Sequence, residues 1–264
     1  MFVQQVKTKL IRMFGYRPVA ALQAIRFIYL LLVRQTPDPE VNILPFLIGK
    51  GDITIDVGAN GADWTYWLYR NTGRVFAFEA DPYYALSTSL AIKLMRLKGV
   101  QLFPFGLSEI NEKLPLVVSA NNGSRLSGLS HINRYASKKS AIEVELKQLD
   151  SLVEEWPELS AAKLIKCDAE GYELFVFRGA EEIIQRVRPY IIFEIGNFGI
   201  HGYSAKEIFD FFVARDYASY ALIHDKILGK TDQMLEHKEA VSVNRMMIPK
   251  EKLNTLKGKV WFKE

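Results

Sequence analysis

One cysteine and four histidines occur in the whole 264-residue chain, and that scarcity removes several classes of protein at once. The lone thiol, Cys167, closes no internal disulfide and suits a reducing compartment. There is no CxxC pair and no His/Cys cluster with zinc spacing, so no metal ligand set is assigned. Acidic residues are missing before Asp38, where Lys7, Lys9, Arg12, Arg17, Arg26 and Arg34 are all basic. Long apolar runs are missing as well. The strongest, residues 19–33, is interrupted by Gln23 and Arg26, and only seven apolar residues follow Arg26, well short of the ~20 that span a bilayer. No small-residue cleavage site follows, which weakens a signal-peptide reading. The segment reads either as a helix packed on the domain behind it or as a basic, apolar helix lying on an anionic membrane face. The expectation is a cytoplasmic protein, with peripheral contact to the inner membrane face through residues 1–34 as the second reading.

The remainder is ordinary globular composition, 49% hydrophobic with a net charge of +4, too mild to point to nucleic acid. From residue 50 onward, β-rich runs alternate with helical patterns. Strands are expected at 52–59, 74–80 and 100–108, with helices at 63–71 and 82–98. Two further strand-like runs, 113–120 and 141–150, flank a loop rich in Asn, Gly, Ser and Lys and suggest an inserted β-hairpin. The alternation resumes with strands at 161–169 and 188–196 around a helix at 172–187. A helix at 204–216 follows, with Ser204 and Glu207 spaced as a capping box. Segments 217–224, 240–249 and 259–264 close the chain as strands. Strands joined by helices of ten or more residues require parallel crossovers. The expected fold is α/β and Rossmann-like: a mostly parallel seven-stranded sheet with helices on both faces, the extra hairpin, and an N-terminal helical extension. The extension is drawn at 1–49 and the main domain at 50–264.

The first strand breaks at "DVGANGAD" (56–63), a turn placed where doubly wound folds bind nucleotides. A dinucleotide fingerprint fails here, because its second and third glycines fall on Asn60 and Asp63. Asp63 would also set a negative charge where a pyrophosphate must sit. A P-loop fails for want of its Gly-Lys pair. S-adenosylmethionine, a donor with net positive charge, suits the turn better. Asp56 is placed to meet that charge, and Gly58 and Gly61 to let the backbone come close. Glu79, eighteen residues after Gly61, ends the second strand where an acid accepts ribose hydroxyls.

Four runs together, "IDVGANGA" (55–62), "VFAFEADP" (75–82), "LIKCDAEGYELFVFRGA" (164–180) and "RPYIIFE" (188–194), resemble the FkbM-type family of S-adenosylmethionine-dependent methyltransferases. That family's pattern runs D-V-G-A-N-x-G, F-E-P-x-P, K-x-D-x-E-G-x-E and P-x-x-x-x-E, and "QLDSL" (148–152) resembles its L-D-x-L segment. The departures, Ala62 for the last turn glycine and Ala80 for the first proline, remove no charge. The resemblance implies a class I methyltransferase fold and methyl transfer to an oxygen, commonly a hydroxyl of a sugar, glycolipid or other natural product. The donor residues assigned are Asp56, Gly58, Asn60, Gly61, Glu79, Asp81, Gly106 and Asp168.

A hydroxyl acceptor needs a base within reach. Asp168 and Glu170 follow the fourth core strand, Glu194 ends the fifth, and His201 lies in the glycine-rich loop behind it. An imidazole titrates near the working pH while an unshifted carboxylate is a weak base. His201 is therefore the first candidate base, with Asp168, Glu170 and Glu194 as orienting or alternative groups. Glu173 reads as helix N-terminal electrostatics. Ser124 and Arg125, in the 121–128 loop, are acceptor-binding candidates together with His201. The rival readings are an RNA ribose methyltransferase and a non-catalytic binding protein on the same fold. From Asp38 onward the 28 basic residues nearly balance 30 acids, which disfavours the first, and no nucleic-acid partner is expected.

Overall fold

The computed structural model describes residues 15–33, 38–119, 130–137, 140–196, 198–223, 227–231, 240, 242–259 and 261–263. Its strands in chain order are β1 (Ile53–Val57), β2 (Arg74–Phe78), β3 (Val100–Phe103), β4 (Gly106–Leu107), β5 (Glu112–Val117), β6 (His131–Ile132), β7 (Ala141–Lys147), β8 (Ala162–Cys167), β9 (Tyr190–Glu194), β10 (Tyr217–Ile223), β11 (Ile227–Lys230), β12 (Asn244–Pro249) and β13 (Phe262–Lys263). Its α-helices are α1 (Tyr16–Leu32), α2 (Leu44–Leu47), α3 (Asp63–Thr72), α4 (Pro82–Leu94), α5 (Glu173–Arg178), α6 (Glu181–Val187), α7 (Ala205–Val213) and α8 (Lys250–Leu256).

The main sheet runs β13-β11-β10-β12-β9-β8-β1-β2-β3. Strands β3, β2, β1, β8 and β9 are mutually parallel, and β12 enters antiparallel between β9 and β10. The chain steps from β1 outward through β2 to β3, then returns to the other side of β1 as β8. That reversal opens a crevice at the carboxyl ends of β1 and β8, where ligands of open α/β sheets bind.

Both faces of the sheet are covered, so its strands are apolar on both sides. Ile55, Val57, Phe76, Phe78, Ile165 and Phe193 face one core, which α5, α6, α7 and the small sheet close. Val75, Leu164, Ile192, Met246 and Ile248 face the other, closed by Trp64 and Leu68 of α3 and by Val41, Ile43, Leu44 and Leu47. Residues 41–48, drawn by sequence into the extension, thus belong to the same core as the sheet. Helix α1 lies on α4 through Val19 and Ala20 against Tyr83 and Tyr84, and through Ala24, Phe27 and Leu31 against Ala91.

Several boundaries differ from expectation. The main sheet has nine strands among the described residues, because β11 and β13 extend the β10 edge. The 100–108 run splits: β3 stays in the main sheet, while β4 joins β7, β5 and β6 in a second sheet of four strands. The expected hairpin is the β5/β7 pair at the centre of that sheet. The 172–187 helix breaks at Gly179, where a Cβ would stand 1.9 Å from the Ser108 carbonyl oxygen. Helix α4 stops at Leu94, α8 occupies a segment left unassigned by sequence, and the closing strands shorten to β12 and β13.

Candidate functional site

Strand β1 ends at Val57, and the turn after it is shaped by crowding. Gly58 has φ +79, and a Cβ there would sit 1.9 Å from the Asp168 carbonyl oxygen, so no side chain fits. Backbone N–H groups of Gly58 and Ala59 donate to the Phe78 carbonyl, and that of Asp168 to the Val57 carbonyl. These bonds draw the ends of β1, β2 and β8 together. Gly61 is different: a Cβ there would meet only Phe27 at 3.7 Å, an ordinary contact, so its glycine is not required by space as expected. Ala62, at φ +74, takes the left-handed conformation that glycine adopts without cost.

The turn forms one wall of a cleft that opens to solvent. Gly58, Asn60, Glu79, Ala80, Gly106, Asp168, Glu170 and Tyr172 line it, and Leu107, Leu116, Ile132 and Leu146 of the small sheet form its apolar wall. The second sheet is therefore part of the site. A cleft that is largely apolar with a few convergent polar groups is the usual form of a small-molecule site.

Glu79 is 8% exposed and holds the turn. Its Oε2 accepts from the Asn60 N–H at 2.7 Å and its Oε1 from the Asp81 N–H at 2.8 Å. Burial pushes its carboxyl up to about 8, with Asp81 and Asp56 adding to the rise and the two backbone donors opposing it. Each oxygen keeps acceptor capacity, so ribose hydroxyls donating into the cleft fit this residue.

Three assigned donor residues, Asp56, Gly61 and Asp81, do not line the cleft. Asp56 is buried on the opposite face of β1 from Val57, where it accepts from the Thr65 hydroxyl at 2.5 Å. Burial raises its carboxyl to about 6 against the opposing pull of Thr65 and Lys166. Strand alternation is the reason: neighbouring side chains leave on opposite faces. Asp81 caps α4, accepting from the Tyr83 N–H at 2.9 Å and the Ser130 hydroxyl at 3.1 Å.

Asp168, Glu170 and Glu194 form an acidic rim at the ends of β8 and β9. Glu170, at φ +52, is pushed up to about 8 by burial and by Asp168, Glu194 and Glu173. Glu194 is raised by burial and by Asp168 beside it. The loop carrying the rim is locked from below. Glu173 accepts from Ala169 N–H at 2.8 Å and Gly171 N–H at 3.3 Å, while the Tyr203 hydroxyl donates to the Gly171 carbonyl at 2.6 Å. Among the described residues no group of three or more His, Cys, Asp or Glu is placed to hold a metal ion.

His201 lies apart from the cleft lining. Its ring meets Tyr172 at 5.0 Å and Phe175 at 6.1 Å, and its buried Nε2 has no hydrogen-bond partner. Burial, with His131 nearby, pushes it down to about 4. The sequence expected an imidazole titrating near neutrality; the aromatic packing removes that property. Ser124, Arg125 and the 121–128 loop lie outside the described residues.

Lys166 was missed. It is 1% exposed, on the same face of the sheet as Leu164, with Nζ 3.6 Å from Asp168 Oδ2, 3.4 Å from Asn244 Oδ1 and 5.3 Å from the Trp64 ring. Burial alone would lower its pKa, yet Asp168, Asp38, Cys167 and Asp56 together hold it above the usual lysine value. The signal was legible: a charged residue inside the apolar run "KLIKC".

A glycine turn at the switch point, a buried acid ending β2, and acids at the ends of β8 and β9 define a Rossmann-like nucleotide-type site of the class I methyltransferase kind. The methyltransferase FkbM domain model matches residues 56–219. The chain belongs to that family, and its methyl donor is S-adenosylmethionine. Among solved structures it is similar to a methyltransferase FkbM from Methylobacillus flagellatus KT, at 13% identity and TM-score 0.48, over 90% of this chain and 60% of that one. The chain thus spans about 60% of the length of that relative. An rRNA methylase from Streptococcus thermophilus aligns at 10% identity and TM-score 0.45, over 81% and 94% of the two chains. A protein from Streptococcus mutans in complex with SAH aligns at 12% identity and TM-score 0.43, over 81% and 97%. No curated protein matches the chain.

Proposed function

We propose that the protein methylates a hydroxyl oxygen on a sugar, glycolipid or other small natural product. The observation that carries this reading is the acidic rim beside the donor cleft. The donor supplies an electrophilic methyl group. The chain must bind the acceptor, align its oxygen, and take up the hydroxyl proton. Glu170 lines the cleft and, raised to about 8, is a far stronger base than an ordinary carboxylate. In this reading a Glu170 carboxylate oxygen receives the proton, while Asp168 and Glu194 accept hydrogen bonds from the acceptor's other hydroxyls. His201, neutral and packed among aromatic rings, gives up the base role assigned from sequence.

The test is isotopically labelled donor incubated with glycan and glycolipid extracts, with and without the protein, followed by mass spectrometry of the products. Label on a hydroxyl oxygen supports the reading. Label recovered only on nitrogen, carbon or RNA overturns it.

A further inference from the structure

Helix α1 is apolar on two sides. Val19, Ala20, Ala24, Phe27 and Leu31 pack on the domain, and a second stripe faces outward. Leu22, Ile25, Tyr29 and Leu32 are 60%, 56%, 62% and 77% exposed. Their spacing of three, four and three residues sets them in one row along the helix, about 15 Å long at 1.5 Å per residue. No packed domain interior claims these side chains, and leaving them in water is unfavourable. Gln23 and Arg26 point elsewhere, into a cavity of about 150 Å³ that they line with Asn60 and Asp63 of the donor turn.

Helices α1 and α4 themselves carry charge of one sign. Neither α1 nor α4 contains an acid, whereas Arg17, Lys93, Arg96 and Lys98 are exposed. The last three stand at the end of α4, where Met95 joins Phe27, Leu31 and Ala91 in one apolar cluster. Leu94, 59% exposed, lies beside them. Among the described residues no helix is long and apolar enough to cross a membrane.

We propose that the outward stripe of α1, with the basic end of α4, docks on an anionic lipid bilayer, the apolar side chains entering the headgroup boundary and the cations facing acidic headgroups. A helix that presents an apolar stripe with cations beside it binds in the interface plane, and each cation near such a surface adds attraction that salt weakens. The same surface suits a second copy of the chain poorly, because pairing it with itself opposes like charges.

The experiment uses the full chain and sedimentation with vesicles of phosphatidylcholine plus phosphatidylglycerol, against phosphatidylcholine alone. Binding is expected to the anionic vesicles and to fall about tenfold or more as salt is raised through the physiological range. Leu22→Asn combined with Leu32→Asn is expected to reduce partitioning by about tenfold or more. Lys93→Gln with Arg96→Gln is expected to weaken binding and flatten its salt dependence. All variants should keep the parent melting temperature, since the altered side chains are exposed. The proposal is overturned by equal partitioning into both vesicle types or by no binding to the anionic ones. It is also overturned if the double Asn variant binds as well as the parent, which would assign the effect to residues 1–14. Vesicle-independent dimers that those substitutions dissociate would assign the stripe to self-association instead.

Discussion

Gly58 stands so close to Asp168 that a Cβ built on it would lie 1.9 Å from the Asp168 carbonyl oxygen. The same carbonyl belongs to the residue whose N–H donates to Val57, so it cannot swing away without breaking the β1–β8 edge. Gly58→Ala must therefore move backbone, and it adds the strain of a side chain at φ +79. We expect a loss of at least about 2 kcal/mol of stability, from the positive φ and the clash together. Urea titration checks it, and a parent-like midpoint would contradict the close approach.

Glu79 connects the turn to β2 and offers its remaining acceptor positions to the cleft. Glu79→Ala should weaken donor binding by about 1.5–3 kcal/mol, the scale of a hydrogen bond to a charged group. Its carboxyl, at about 8, must be ionised to accept hydrogen bonds from both ribose hydroxyls. Adenosine, which does not titrate in this range, should accordingly bind more tightly as pH rises from 6 to about 8.5. Calorimetry that finds adenosine affinity flat across that window would remove Glu79 from the ribose contact.

The ligand-free protein should be less stable at alkaline than at mildly acidic pH. Asp56 and Asp63 stand at about 6, Glu173 at about 7, and Glu79 and Glu170 at about 8, all raised by burial. A carboxyl raised in the folded state contributes stability present below its unfolded value and lost as pH climbs through its folded value. His201, lowered to about 4, acts the other way but only between about 4 and its unfolded value near 6.5. Asp56 and Asp63 have lost most of their contribution by pH 6.5, and between pH 6.5 and 8.5 Glu173, Glu79 and Glu170 act unopposed by His201. A net loss of one kcal/mol would lower the melting temperature by about 2–4 °C for a chain of this size. Differential scanning fluorimetry in matched buffers measures this, and a rise with pH would contradict the burial of these acids.

Turnover separates the two candidate bases. Glu170→Gln should slow methyl transfer about 10²–10⁴-fold, the usual worth of a positioned base. His201→Phe preserves the aromatic packing with Tyr172 and Phe175 and should leave turnover within about threefold, since only a neutral ring is exchanged. Label incorporation into the responsive acceptor, measured beside donor affinity, provides the comparison. The reverse pattern would return the base to His201.

The sequence by itself determined the family, the parallel α/β core and the position of the donor turn, because each is written in contiguous residues. A glycine after β1, an acid after β2 and "CDAEG" after β8 are local signals whose order survives folding. The capping box at Ser204 and Glu207 was equally local and is present. What the tertiary structure alone decided is which of these residues face the same space. Asp56 and Val57 are neighbours in the chain, yet pleating sends one to Thr65 and the other to the cleft. Lys166 drew no reading from the sequence, because the acids that act on it, Asp168, Asp38 and Asp56, lie at distant or adjoining positions that only the packed chain brings near it. The small sheet looked like an inserted hairpin, but β4 and β6 widen it into the cleft's apolar wall. His201, the first candidate base in sequence, packs beside Tyr172 and Phe175, and burial pushes it down to about 4. Periodicity reports which elements form; side-chain direction, burial and the charges of distant neighbours are properties of the packed chain. They set which acid lines the cleft, which caps a helix and which is buried away from both.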